Sequence, residues 1–145
     1  MATKAAVVSM RIPTAQAERL RRMARRLGRT PSDTGALLVE EGLRRSEFAF
    51  IDFRDSYLGR QAYLQGSTLA VWEAVRLVRA YNGDETAAAG HLDWPAARVQ
   101  AAMNYAAAYP EEIGTAIADA DAVQFDDVLR FAPQARRFEV GTAET

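Results

Sequence analysis

The chain of 145 residues contains no cysteine and a single histidine, which excludes disulfide bonds, thiolate metal sites and a histidine cluster within one subunit. No apolar run approaches the ~20 residues of a membrane span and no signal-peptide pattern is present, so we expect a cytoplasmic protein. The net charge of -1 hides an asymmetry: ten basic and four acidic residues lie up to Arg45, and eight basic and fifteen acidic residues follow. This asymmetry predicts a polyanionic partner at one end and a different partner at the other.

The stretch VVSMRIP, residues 7–13, alternates as a β-strand does. Val8, Met10 and Ile12 would face one side, and Val7, Ser9 and Arg11 the other. A single strand leaves its backbone donors and acceptors unpaired. We therefore expect this strand to pair antiparallel with its copy in a second subunit.

Two helices are predicted after this strand. Thr14 can cap a helix that begins at Ala15, and Gly28 is suited to the position past its end. Thr30 then caps a second helix, with proline in its first turn, which continues to about Ser46. The apolar side chains of the strand and of both helices would form a core shared between two subunits: Val8, Met10, Ile12, Leu20, Met23, Leu27, Leu37 and Leu38.

This ordered set resembles the ribbon-helix-helix DNA-binding fold of small bacterial repressors. In that fold, a ribbon of two strands enters the major groove. The resemblance implies base contacts by Val7, Ser9 and Arg11, with Arg11 the best partner for guanine. It also implies contacts to backbone phosphates around the start of the second helix, from Arg29, Thr30, Ser32 and Asp33.

Residues 48–116 are predicted to be largely helical. FAFIDFRD, from Phe48 to Asp55, alternates and is consistent with a short strand or an extended link, and the run after Gly59 is expected to lead into a helix. Helices are predicted over about Ala70–Tyr81, from the cap Asp84 to about His91, from Trp94-Pro95 to about Ala108, and from Pro110 onward. This is the order of a helix-turn-helix.

Several short motifs in residues 59–113 carry a second resemblance. Gly59-Arg60, Gly66-Ser67-Thr68-Leu69-Ala70-Val71, Tyr105-Ala106 and Glu111-Glu112-Ile113 resemble the antitoxin-associated domain of unknown function 433, which recurs in bacterial toxin–antitoxin operons. The presumptive recognition helix has Arg98 as its one basic residue and is rich in alanine, so packing is the role expected of it. Structural roles are expected for His91, Trp94 and Tyr105.

Residues 117–145 combine acidic residues with spaced apolar ones and predict a short helix that stops before Pro133. Either these side chains pack on the protein's own body, or they bind a toxin. The toxin implied by the resemblance is a PIN-like ribonuclease, whose clustered carboxylates Arg136 or Arg137 could pair with. The residues assigned to toxin binding are Phe125, Val128, Leu129, Phe131, Arg136, Arg137 and Phe138.

The sequence thus predicts a mainly α fold with three parts: a ribbon-helix-helix domain of one strand and two helices over 1–47, a helix-turn-helix-like antitoxin domain over 48–116, and a toxin-binding tail over 117–145. No nucleophile–histidine–acid set or Gly-rich phosphate loop is present, so we expect no enzymatic activity, cofactor or metal. The expected function is that of a type II antitoxin, which binds operator DNA as a homodimer or higher oligomer, represses its own operon and neutralises a toxin.

Two alternatives remain open at this stage. The first is a stand-alone transcription regulator whose C-terminal domain oligomerises or senses a ligand. The second is an assembly protein that does not bind DNA and uses its strand only to dimerise. Salt-dependent DNA binding by residues 1–47 alone would exclude the second.

Overall fold

A computed structural model describes residues 4–138 and divides the chain into two compact units, Met1–Glu47 and Phe48–Thr145. The described chain is mostly helical and contains one sheet of two antiparallel strands. Its helices and strands are α1 (Thr14–Leu27), α2 (Pro31–Glu47), β1 (Ile51–Ser56), β2 (Gly59–Leu64), α3 (Val71–Ala80), α4 (Glu85–Leu92), α5 (Ala96–Ala108), α6 (Pro110–Ala122) and α7 (Phe125–Phe131). Among these helices, none has both the length and the apolar character needed to cross a membrane.

The predicted fold class is wrong in its N-terminal strand. Residues 4–13 form neither helix nor strand, and the two strands of the structure lie in the middle of the chain. The two sides of the alternating segment are both exposed, with Val7 95%, Val8 78% and Met10 64% accessible. A strand is held by hydrogen bonds to a neighbouring backbone, and nothing in residues 4–138 supplies one to this segment. Val8, Met10 and Ile12 therefore do not enter a core.

The ends of the first two helices are set by local residues. Pro13 holds the position before α1 and Thr14 is already helical, so the predicted threonine cap is absent there. Gly28 ends α1 in the left-handed conformation, at φ 63°, which a glycine adopts without a steric penalty. The cap predicted at Thr30 is confirmed, since its hydroxyl accepts a hydrogen bond of 3.1 Å from the Asp33 amide.

The first unit has a small hydrophobic core. Ala24 is its one buried hydrophobic side chain within residues 4–47, and the buried Thr34 donates its hydroxyl to the Thr30 carbonyl at 2.9 Å. The helical residues predicted to form a core are half-buried: Leu20, Met23, Leu27, Leu37 and Leu38. The apolar stripe of α1 thus stays partly accessible.

The β1–β2 hairpin agrees with the sequence prediction only in its first strand. The run after Gly59, which was expected to lead into a helix, forms the second strand, β2. Tyr57 and Leu58 form the turn, and Ser56 fixes it by accepting from the Leu58 amide and donating to the Gly59 carbonyl. In the register Ile51 faces Leu64 and Phe53 faces Ala62. These four side chains are buried on one face of the hairpin.

Helices α3, α5 and α6 cover the buried face of the hairpin. Tyr105 of α5 is fully buried, and its ring centroid lies 5.4 Å from that of Phe48 and 6.4 Å from that of Phe53. The main core of the second unit is completed by Ile51, Ala62, Leu64, Ala70, Val71, Trp72, Ala74, Val75, Ala102 and Ile113.

Helix α4 leads into α5 through the short turn at residues 93–95, which is the order that the sequence predicts for these two helices. Asp84 caps α4 by accepting a 3.0 Å hydrogen bond from the Ala87 amide, as the sequence indicates. Asp93 ends α4 in the left-handed conformation, at φ 55°. A smaller core joins these helices to α3 through Val78, Ala88, Ala89 and Val99.

The predicted boundary between residues 116 and 117 falls inside α6. Ala116, Ile117 and Ala120 of this helix all pack against the main core. Helix α7 follows as the short helix that the tail sequence predicts, and it ends before Pro133. Residues 117–122 therefore belong structurally to the second unit.

Candidate functional surfaces

The first unit carries an open groove along α1, which we call the arginine groove. Its volume is about 790 Å³. Apolar side chains of the α1 stripe meet basic side chains there, because arginines flank Leu20 and Met23 in the helical sequence. The groove is lined by Gln16, Arg19, Leu20, Arg22, Met23, Arg25, Arg26 and Leu38.

The four arginines of this groove are exposed, and none forms an ion pair with a residue of the described chain. In contrast, Arg21 on the same helix pairs with Glu18 at 2.8 Å. No acidic residue lines the groove. Four guanidinium groups without an internal counter-ion make a surface that attracts anions, and guanidinium binds phosphate with two parallel hydrogen bonds.

The predicted DNA contacts lie in two places. Val7, Ser9 and Arg11 are exposed in the segment before α1, with no strand to aim them together. The predicted phosphate contacts Arg29, Thr30, Ser32 and Asp33 are gathered at the start of α2, where all four are exposed. The Thr30 hydroxyl is engaged in the helix cap.

A second groove lies where α5 begins, and we call it the Trp94 groove. It has a volume of about 580 Å³ and joins residues from β1, from the loop after β2 and from the α4–α5 turn. Arg98 stacks on Trp94, with the guanidinium carbon 4.4 Å from the ring centroid, and donates to the Gln65 carbonyl. The lining residues are Arg54, Gly66, Ser67, Thr68, Leu69, Leu92 and Trp94.

The body of α5 packs, as its alanine-rich sequence indicates. Val99, Ala102 and Tyr105 are buried, and the Tyr105 hydroxyl donates to the Glu112 carboxylate at 2.6 Å. Its exposed side carries Gln100 and Asn104, which hydrogen-bond to each other at 3.0 Å. The predicted structural role of His91 fits its ring nitrogen lying 2.8 Å from the Tyr81 hydroxyl.

A third surface surrounds α7, and we call it the α7 surface. The rings of Tyr57 and Phe131 lie 5.9 Å apart and are 59% and 69% exposed. Next to them is a groove of about 360 Å³. Two aspartates and one arginine lie among its apolar lining, which comprises Tyr57, Leu58, Asp119, Ala122, Val123, Asp127, Arg130 and Phe131.

Of the residues predicted to bind a toxin, those of α7 divide by exposure. Phe125 and Leu129 are half-buried, whereas Val128 and Phe131 are exposed. Beyond the helix, Arg136 and Phe138 are exposed, and Arg137 stacks on Phe125 at 4.9 Å from the ring centroid.

Sequence reasoning missed Arg54 and Tyr57 as surface residues. Arg54 is on β1, where its guanidinium carbon lies 5.2 Å from the centroid of the Tyr63 ring, and Tyr57 is in the hairpin turn. The signal that could have revealed both is the hairpin itself, with apolar residues at every second position on either side of Tyr57-Leu58.

Two further findings complete the description of these surfaces. Within residues 4–138, no three histidine, cysteine, aspartate or glutamate residues are placed to hold a metal ion. Compared with protein-family models, curated proteins and solved structures, the chain matches none of them.

Proposed function

We propose that the protein is a DNA-binding antitoxin of the type II class. Its first unit binds double-stranded operator DNA and represses the operon, and its second unit binds and neutralises a toxin protein, a PIN-like ribonuclease. The observation that carries the DNA-binding part is the arginine groove, whose four exposed guanidinium groups have no acidic partner within residues 4–138.

DNA supplies the counter-charge that this groove lacks. A duplex carries one phosphate charge per ~1.7 Å of axis, and each arginine that neutralises a phosphate releases condensed cations. The affinity therefore gains from every guanidinium that is free to bind. Arg29 and the exposed start of α2 extend the same basic region in sequence.

The test compares two variants with the same change in net charge. Arg22→Gln together with Arg26→Gln removes two groove arginines, and Arg79→Gln together with Arg136→Gln removes two exposed, unpaired arginines of the second unit. Binding of a labelled duplex from upstream of the gene is measured by fluorescence anisotropy. We expect the first variant to bind at least ~10-fold more weakly than the second at ~0.1 M salt. Equal affinities of the two variants would contradict the proposal.

Association of two copies is part of the same proposal. One buried hydrophobic side chain is a small core for residues 4–47, because short domains bury too little surface to be stable alone. Apolar side chains outside the arginine groove, the half-buried Leu27 and Leu37 and the exposed Leu43, would gain cover from a second copy. Light scattering at micromolar concentration should give twice the mass of the chain, and a monomer would argue against this step.

The toxin-binding part is supported by the resemblance of residues 59–113 and by the exposed aromatic rings of the α7 surface. Co-expression of the adjacent open reading frame with the full chain should yield a complex. Tyr57→Ala with Phe131→Ala should abolish its formation, whereas Tyr81→Ala, which removes an aromatic ring elsewhere in the same unit, should not. A complex that survives loss of Tyr57 and Phe131 would place toxin binding elsewhere.

A specific observation also favours a second candidate, a transcription regulator whose second unit senses a small ligand. The Trp94 groove combines Arg54 with an indole ring in a volume of about 580 Å³, and Arg98 stacks on that ring. A ligand that changes DNA affinity through this groove would favour this candidate over the antitoxin.

A further inference from the structure

The Trp94 groove has an unusual charge for its surroundings. Acidic residues outnumber basic ones after Arg45. Three other arginines of the region have an acidic partner: Arg60, Arg76 and Arg130 pair with Asp55, Asp121 and Asp127. Yet this groove has no acidic side chain in its lining.

The two arginines at this groove have no carboxylate partner in residues 4–138. Arg54 contacts the Tyr63 ring, and Arg98 contacts the Trp94 ring and the Gln65 carbonyl. Both contacts hold the guanidinium group in place and leave its charge uncompensated. A Cβ on Gly66, at φ 73°, would lie 3.7 Å from Nη2 of Arg98, so the loop passes close to this group.

The loop between β2 and α3 adds further hydrogen-bond donors. Ser67 organises it, since its hydroxyl donates to the Leu64 carbonyl at 2.8 Å and accepts from the Leu69 amide at 3.1 Å. The amides of Gly66 and Thr68 and the exposed Thr68 hydroxyl have no partner within the described chain. Guanidinium, hydroxyl and amide donors without a carboxylate are the set that proteins use to bind phosphate.

We propose that the Trp94 groove binds the phosphate backbone of double-stranded DNA, with Arg54 and Arg98 each contacting a phosphate, which gives the second unit its own contact with the operator. This inference rests on the proposed function of the first unit. A phosphate contact suits the groove better than contacts with base edges. Helix α5 has Arg98 as its one cation, and its exposed amides, those of Gln100 and Asn104, hydrogen-bond to each other and so are not directed at bases. The Trp94 groove is formed by the turn before α5 and by the hairpin. Because it is an open groove, a DNA strand can lie along it.

The experiment uses the full chain and the salt dependence of its affinity for the upstream duplex. Arg54→Gln with Arg98→Gln should reduce the slope of log affinity against log salt by about 1.8, since each lost phosphate contact reduces it by about 0.9. Arg79→Gln with Arg136→Gln is the matched control, because it removes the same charge from outside the groove. A slope that changes equally in both variants would overturn the inference.

Two further readings separate the sources of failure. If Arg22→Gln with Arg26→Gln leaves DNA binding intact, the proposed function of the first unit fails. If that variant binds DNA more weakly while the Arg54/Arg98 variant keeps the wild-type slope of log affinity against log salt, the inference about the Trp94 groove alone fails. The indole N–H resonance of Trp94 should shift when the duplex is added and shift far less with inorganic phosphate or a mononucleotide. A saturating shift with the small phosphates, together with an unchanged DNA slope, would overturn the DNA contact and favour a ligand sensor.

Far-ultraviolet circular dichroism and the fluorescence of the two tryptophans verify that each variant folds. Should Arg98→Gln disturb the fold, Arg54→Gln with Thr68→Ala replaces it, because both side chains line the groove. That variant should lower the slope by about 0.9, as expected for one arginine. An unchanged slope in this folded variant would refute the inference.

Discussion

Removing the hydroxyl of Tyr105 should destabilise the second unit measurably, because that group joins α5 to α6. The ring of Tyr105 is fully buried and would keep its neighbours in Tyr105→Phe, with Tyr109 at 4.9 Å and Phe48 at 5.4 Å between centroids. What disappears is a hydrogen bond of 2.6 Å to the carboxylate of Glu112. Bonds to charged groups contribute about 1.5–3 kcal/mol.

Because Glu112 is exposed, its carboxylate can regain water in the variant, which points to the lower end of that range. We therefore expect a loss of about 1.5 kcal/mol in the free energy of unfolding. For a unit of this size, such a loss lowers the melting temperature by about 6–12 °C.

Urea denaturation followed by tryptophan fluorescence measures this effect. Trp72 and Trp94 both belong to the second unit, so the signal reports its unfolding alone. Tyr57→Phe is the matched control, since Tyr57 is 59% exposed and lies in the hairpin turn. A loss in Tyr105→Phe no larger than in this control would refute the role assigned to the hydroxyl.

Three further predictions concern stability. Thr30→Ala should remove the side-chain cap of α2 at a cost of about 1 kcal/mol, and the Asp33 amide should then exchange its hydrogen faster. Ser32→Ala, which removes a neighbouring hydroxyl, should leave that exchange rate unchanged. Leu64→Ala should cost about 2–5 kcal/mol in urea denaturation, because Leu64 of β2 is fully buried in the main core of the second unit; a loss below about 1 kcal/mol would mean that this core is not packed as described. Gly59→Ala should cost about 1–3 kcal/mol through its φ of 100° alone, since no atom lies within 4 Å of the added Cβ, and an unchanged melting temperature would show that the turn relaxes.

The helices of the second unit were predictable because their signals are local. The stripe Val71, Ala74, Val75 and Val78 repeats at helical spacing, and Asp84 lies at the cap position where the sequence places it. Such features depend on residues three or four positions apart, so they can be identified from the sequence alone.

The strands were harder to predict because pairing depends on partners that periodicity does not identify. Residues 7–12 alternate but have no neighbouring strand in the described chain, whereas β1 and β2 pair across a turn that lacks the Asn-Gly or Asp-Gly dipeptide typical of hairpins. Alternation indicates which side chains share a face. It does not supply the hydrogen-bond partner.

The candidate surfaces divide in the same way. The arginine groove could be predicted in part, because most of its lining residues lie on one helix, α1, at positions that recur with each turn. The Trp94 groove could not, since Arg54 and Trp94 are far apart in sequence and line the same groove only when the hairpin packs beside the α4–α5 turn. The role of Tyr57 beside Phe131 depends on the same hairpin.

The most direct test of DNA binding by the first unit is the salt dependence of the full chain's affinity for duplex DNA, measured between about 50 and 300 mM salt. Log affinity should fall linearly with log salt, with a slope of about -3.6 or steeper for four groove arginines at about 0.9 each, and Arg22→Gln with Arg26→Gln should flatten it by about 1.8. A slope near zero, or one that the loss of these arginines leaves unchanged, would contradict phosphate binding by the arginine groove.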